Sequence, residues 1–374
     1  MLLVGIVLTT LGAILPSIIP RLGLDRTEAG SLLALMSLGI LAGSLVFGPV
    51  VDRRGYKGML TAAVVLVALG LEGIAFAPST ELLAVATVLI GFGGGLINGS
   101  ANALVADIRA DGRAAGLASL GVFFGIGAFG VPLVLGLLRE RFGDAWVVAG
   151  IGALVALVPA YYAAIRFPEP KQPQGFPVRH GVAMLRDPVL VLLGLILFFE
   201  SGMEITVGGW TATYVTEDLA LSPERALYLL SLYWAGMTGA RVVLGWLLRR
   251  VSGVVVLVSS LGIAFAGAMI LMSARTTATA GAGTLLTGAG FAAVFPVVLG
   301  YVGDRYERMS GTAFGVVLVM ALMGGTALPY LTGVLGDAFG LRPSLAIVPL
   351  SLVCVAVLFG VARPQLGARS IGGG

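Results

Sequence analysis

Two carboxylates four residues apart, Glu200 and Glu204, lie inside the apolar run "LLGLILFFESGMEITVGG". That spacing puts both on one helix face, and Thr211, seven residues beyond Glu204, stays on it. Two acids this close repel each other, and burial disfavours their charged forms. The pair therefore suits proton pick-up and release. The same oxygens, joined by backbone or threonine oxygens, could instead coordinate sodium. A structural alternative binds Glu200 to helix backbone or to Arg241. Charged side chains at a bilayer centre cost about 2.5–3.5 kcal/mol, so they face a cavity or a partner. Arg241 is expected to tie its helix to a neighbouring carboxylate, and Glu72 to snorkel to an interface. Gly91, Gly95, Asn98 and Asn102 form one stripe. Amides hydrogen-bond hydroxyls, and an aromatic wall such as Phe295 covers the C–H side of a ring, which suits a polyol or sugar. Helix–helix hydrogen bonding is the alternative role for the asparagines. Trp210, one turn or so beyond Glu204, is expected in the cavity, with Tyr214 close by. These expectations make the substrate-binding set Asn98, Asn102, Glu204, Trp210, Thr211, Tyr214 and Phe295, and the ion-coupling set Glu200 and Glu204.

Other chemistries are poorly supplied. His180 is the one histidine and Cys354 the one cysteine. No intramolecular disulfide can form, and a histidine metal cluster, a Ser-His-Asp triad or a cysteine-held cofactor is not expected. "GFGGG" at 91–95 lacks the Lys-Ser/Thr of a phosphate loop, and no Walker motif occurs, so ATP is not a direct energy source. The expectation is a non-enzyme with no metal and no cofactor other than H+ or Na+ as coupling ion.

The elements that must position these residues follow from composition. Of 374 residues, 58% are hydrophobic and 11% charged, against about 25% charged in soluble domains. Mean hydropathy is +1.02. Runs such as "AVVLVALGL" do not alternate, which excludes a barrel. The chain reads as an all-α membrane protein of twelve transmembrane helices, near 1–21, 28–51, 58–78, 82–106, 113–138, 145–166, 189–216, 223–248, 253–273, 278–302, 310–336 and 342–362. The opening segment lacks a signal peptide's basic start and cleavage site, and reads as the first span. The expected organisation is an N-terminal six-helix bundle (1–166), a cytoplasmic linker (167–188), a C-terminal six-helix bundle (189–363) and a tail (364–374).

The halves repeat at an offset of 197. Gly39 falls on Gly236, Gly91 on Gly288, Asp107 on Asp304, Gly127 on Gly324, Pro132 on Pro329 and Gly143 on Gly340. By this offset span 7 starts earlier than span 1, so span 1 is short or a native start lies upstream. With both termini cytoplasmic, 15 basic residues fall on the cytoplasmic side and 7 outside. That follows the positive-inside bias and suggests a multi-pass protein of the inner (plasma) membrane. The basic residues are dispersed over short loops, so no nucleic acid is implied. The expected partners are the lipid bilayer and a small-molecule solute, and the expected state is a monomer.

The loop "GPVVDRRGYK", 48–57, resembles the signature of the major facilitator superfamily, with Gly48, Asp52, Arg53, Gly55 and Lys57 in place. With the six-plus-six parallel repeat, the resemblance implies the major facilitator fold and a substrate site between the halves. It also implies a gate: Gly48 lets two helices approach, and Asp52 pairs with a helix end or an arginine. Gly48, Asp52, Arg53, Gly55 and Arg241 make the expected gating set. The segments "FFESGMEITVGGWTATYV" and "SLYWAGMTGARVVLGWLLRR" look like spans seven and eight of the fucose and glucose/galactose permease group, whose relatives include the vertebrate sodium-coupled glucose transporters. Glu204, Trp210 and Tyr214 occupy that group's Glu, aromatic and Tyr positions. "ANALVAD" is similar to its Ala-Ala-Asn motif, with Asn102 on the Asn. The implied function is a secondary active transporter that moves a small polar solute, a sugar, by alternating access coupled to H+ or Na+. The alternative is a proton-coupled exporter of amphipathic or drug-like compounds.

Overall fold

The computed structural model describes residues 1–108, 113–169 and 178–367, and every element among them is helical. The rest of the expected linker, 170–177, and the tail from 368 lie outside the described residues, and Asp107 has no described side chain. Among the described residues, eleven helices are long and apolar enough to cross a membrane. One of them, Arg26–Phe76, has 51 residues. At 1.5 Å per residue it would run far beyond a hydrocarbon core of about 30 Å. It breaks at Gly55, where φ is 69° and ψ 171°, a conformation that favours glycine. That helix is therefore spans 2 and 3, and the chain crosses twelve times.

Span 1 is Leu2–Leu22, span 4 Thr80–Ile108, span 5 Arg113–Phe142, span 7 Pro188–Glu217, span 8 Pro223–Leu247, span 9 Gly253–Ser273 and span 11 Ser310–Phe339. Three spans are interrupted: span 6 (Asp144–Val155 and Val158–Ala164), span 10 (Thr277–Phe291 and Val294–Arg305) and span 12 (Leu341–Ser344 and Ile347–Gly367). Helix starts carry local signals. The Asp25 side chain accepts the Glu28 N–H in a capping box, and Pro188 and Pro223 stand in first turns where their missing N–H leaves no helix bond unmade. Asp187 caps span 7 through the Val189 N–H at 2.9 Å and accepts the Tyr306 O–H at 2.7 Å. Burial raises the Asp187 carboxyl, but these bonds and Arg305 hold it below its ordinary value. Burial and the Asp187 bond together push the Tyr306 phenol up to about 12.

The repeat in sequence is a repeat in packing. Span 4 crosses span 2 where Gly39 faces the Val88 carbonyl and Gly91 the Met36 carbonyl; span 10 crosses span 8 where Gly236 faces the Leu285 carbonyl and Gly288 the Tyr233 carbonyl. Each of these pairings is carried into the next by 197 residues. A Cβ on Gly39 would stand 2.7 Å from the Val88 oxygen, so the crossing needs small residues, the rule where lipid offers no hydrophobic drive between helices. Gly143 (φ 78°) and Gly340 (φ 87°) turn spans 5 and 11 into the next spans with the same left-handed backbone. Large apolar side chains such as Leu69, Phe76, Trp146 and Leu154 remain exposed, as they are on a surface solvated by lipid.

Twelve crossings return the chain to the side on which it began, here the terminal side. On the far side the first six spans are bolted to the last six. Arg26 bonds Glu217 at 2.7 Å and the Gly336 carbonyl at 3.1 Å. Asp337 accepts the backbone N–H of Arg26 (3.0 Å), that of Thr27 (2.7 Å) and the Thr27 hydroxyl (2.6 Å). A carboxylate of span 11 thus caps the start of span 2. Arg139 pairs with Asp144 at 3.0 Å and reaches Glu224 at 3.4 Å, and Asp144 also accepts the Ser17 hydroxyl. Further in, Tyr228 donates to the Gly136 carbonyl (3.1 Å) and Ser37 to the Gly325 carbonyl (2.9 Å). From Arg26 to Ser37 is eleven residues, about 16 Å of helix, so this closure reaches the middle of the bilayer.

Candidate functional site

Glu204 lies near the middle of span 7, just beyond the level where the far-side closure ends. Its carboxylate stands 3.7 Å from the Arg241 guanidinium of span 8, with side-chain exposures of 14% and 23%. The separation makes an ion pair but exceeds hydrogen-bonding distance. Across the interface Phe124 of span 5 lies under Arg241, 5.8 Å from guanidinium carbon to ring centroid. Phe124 packs edge-on against Trp234, 5.8 Å between centroids, and Trp234 against Tyr233 at 4.9 Å. The Tyr233 hydroxyl donates to the Glu204 backbone carbonyl at 3.4 Å.

One turn back, Glu200 is buried to 1% exposure, and neither carboxylate oxygen has a hydrogen-bond partner among the described residues. The expected juxtaposition of Glu200, Glu204 and Arg241 is thus present. Its members differ: Glu204 is paired and keeps some exposure, whereas Glu200 is sealed and without a hydrogen bond. Two acids beside one base leave a surplus acid in the middle of the membrane.

Asn102 is exposed and Asn98 half-buried on span 4. The Asn102 amide donates to the Asn98 carbonyl at 2.8 Å and stands 3.3 Å from its side-chain oxygen. Both bonds stay within span 4, so neither supplies the interhelical contact weighed as the alternative role. Asn102→Leu should therefore leave the melting temperature unchanged and, where the amide holds a solute hydroxyl, weaken binding about tenfold. Calorimetry and a melting curve on the same preparation check both halves of that statement.

The remaining expected residues are placed elsewhere. Trp210 and Tyr214 are fully buried. The Trp210 indole N–H donates to the Pro329 carbonyl at 3.0 Å and the Tyr214 hydroxyl to the Leu271 carbonyl at 3.1 Å. In this conformation both are packing of the closed side rather than cavity lining. Thr211 is buried against Val207, Ala268 and Leu271. Phe295 is half-buried just after the break in span 10. Glu72 is half-buried beside Gly152 of span 6 instead of reaching freely to an interface. In the signature loop, Gly48 is buried and Asp52 and Arg53 are exposed. Lys57 makes a helix-end contact, its ammonium donating to the Ala163 and Ile165 carbonyls at 2.8 and 3.2 Å. Two partners escaped sequence reasoning. Neither Phe124 beneath Arg241 nor the capping of span 2 by Asp337 carries a sequence signal; the Asp337 partners lie 310 residues away or more.

This architecture, twelve spans in a parallel six-plus-six repeat with a charged cluster at mid-membrane, is that of a membrane transporter. The model of the Major Facilitator Superfamily matches residues 1–319, and the chain belongs to that family. It is a multi-pass transporter and not an enzyme. It is 23% identical over 363 residues to the sodium-dependent glucose transporter 1A of Mus musculus, covering 86% of this chain and 85% of that one. Its fold is similar to the D-xylose-proton symporter (TM-score 0.80, 15% identity, 96% and 94% of the two chains). A bacterial homologue of the human lysosomal transporter Spinster, in an inward-facing and occupied conformation, is also similar (TM-score 0.76, 16% identity, 97% and 94%).

Proposed function

We propose that this protein is a secondary carrier of a small polar solute, a sugar, driven by H+ or Na+ bound at Glu200 and Glu204. The observation that carries the reading is the surplus acid: a sealed Glu200 without a partner, one turn from the Glu204–Arg241 pair. An uncompensated carboxylate at this depth is expensive, and a bound cation removes that cost. Sugars are favoured by the amide pair on span 4 and by the names of two similar proteins, one a glucose and one a xylose transporter. Those two names divide between sodium and protons, and a carboxylate pair serves either.

With the far side closed, the route to the site in this reading runs from the terminal side. The basic-residue bias makes the terminal side cytoplasmic, so the conformation is inward-facing, in an inner membrane and as a monomer. The bundles 1–166 and 189–363 rock about the site to expose it alternately, joined by the linker 167–188. A thermal-shift screen of purified protein over hexoses and pentoses, in Na+ and in K+ buffers at two pH values, tests the reading. Stabilisation by a sugar that depends on Na+ or on pH is expected. Stabilisation by hydrophobic cations alone would overturn it in favour of a drug-like exporter.

A further inference from the structure

Arg241 carries more hydrogen-bonding capacity than its surroundings use. A guanidinium has five N–H donors in a rigid fork. Here it makes no hydrogen bond to any described residue; its ion pair with Glu204 spans 3.7 Å, and the Phe124 face lies 5.8 Å away. Arg241 lies three-quarters buried between the first six spans and the last six, and its donors keep enough exposure for an incoming acceptor to reach them. Glu200, Glu204 and Tyr233 are the titratable groups around it, and none takes the fork.

We infer that Arg241 is a solute-binding residue whose fork takes a carboxylate, and that the carried sugar is a sugar acid. The inference rests on the sugar reading above and narrows its substrate class. Planar bidentate pairing with a carboxylate is what this group does better than lysine. Phe124 lies beneath it, 5.8 Å from guanidinium carbon to ring centroid. When the coupling cation neutralises Glu204, the guanidinium loses its weak partner and is free for the solute carboxylate. Cation and anionic sugar then favour each other's binding at one residue, while the amides of Asn98 and Asn102 remain for the hydroxyls.

Calorimetry on the purified protein with D-glucuronate, its methyl ester and D-glucose tests this. The three share a ring, and only the first carries a charge. Glucuronate should bind about tenfold or more tightly than the ester, the effect of a charge-assisted hydrogen-bond pair. Arg241→Gln should abolish that preference, so that glucuronate no longer binds more tightly than the ester, and Arg241→Lys should restore part of it. Equal or weaker binding of glucuronate in the parent protein would overturn the inference while leaving the sugar reading intact, and needs no variant to fold. A glucuronate preference that survives in Arg241→Gln would also overturn it. No binding of any of the three sugars would sink the sugar reading, and this inference with it.

Discussion

Glu204→Gln abolishes uphill accumulation of the solute while leaving counterflow exchange intact: this is the first expected result. Gln keeps the shape of the side chain and removes its charge. Glu200 and Arg241 then balance each other, so the surplus acid that recruits the cation is gone. A carrier without a bound cation still shuttles solute both ways at equal concentration, because exchange never requires it to return empty. Accumulation needs the ion gradient and is lost. Glu200→Gln removes the same surplus from the sealed position and should also uncouple, even though Glu200 is fully buried and Glu204 is not. The double substitution leaves Arg241 without a counter-charge, and an arginine stripped of its partner destabilises. Its melting temperature should fall below that of either single variant, and the two changes should not add. Uptake into proteoliposomes under an imposed pH or sodium gradient, beside counterflow in the same vesicles, measures all three. Concentrative uptake by Glu204→Gln at the parent rate would remove the coupling role from span 7.

The second large effect concerns the far-side closure. Asp337→Ala should shift the protein toward the conformation open on that side. Asp337 accepts three hydrogen bonds from the first turn of span 2, all made across the halves. In an alternating carrier these bonds exist only while the far side is closed, so their whole loss falls on that state. Removing a helix cap costs about 0.5–2 kcal/mol. At 1.4 kcal/mol per factor of ten, the upper end is a shift of about thirtyfold. The Arg26–Glu217 pair is comparably short, at 2.7 Å, but a third exposed on each side. Exposed pairs contribute about 0.2–1 kcal/mol, so Glu217→Gln should shift the equilibrium about fivefold at most. Spin labels at Glu81→Cys and Ala278→Cys, exposed far-side positions in the two halves, report the opening once Cys354 is replaced by serine. The distance distribution should lengthen strongly in Asp337→Ala and weakly in Glu217→Gln. The reverse ranking would show that the ion pair, and not the cap, holds the closure.

Much of this molecule is legible from its residues in order. Hydropathy placed all twelve spans within a few residues, because a bilayer demands about 20 apolar residues per crossing wherever the chain crosses. The 197-residue offset anticipated which glycines would stand at equivalent crossings, since a crossing without a small residue cannot close to that distance. Gly55 was marked by its signature loop and is the residue that breaks a 51-residue helix into two spans. Charges in apolar runs marked Glu200, Glu204 and Arg241, for the plain reason that lipid makes such residues rare.

What periodicity could not supply was which face meets which neighbour. In water an apolar stripe points to the core; in lipid both faces of a helix are apolar, so the pattern does not say whether Trp210 or Phe124 looks into the cleft. Tertiary structure decided that Trp210 and Tyr214 pack the closed side, that Phe124 lies under Arg241, and that Asp337 caps span 2. These contacts join residues 57 to 311 positions apart, and only the packing of helices against one another brings such residues together. The sequence by itself determined how often the chain crosses and where its rare charges lie. The tertiary structure alone decided which side is closed, because closure is a relation between two halves whose local patterns are the same in either state.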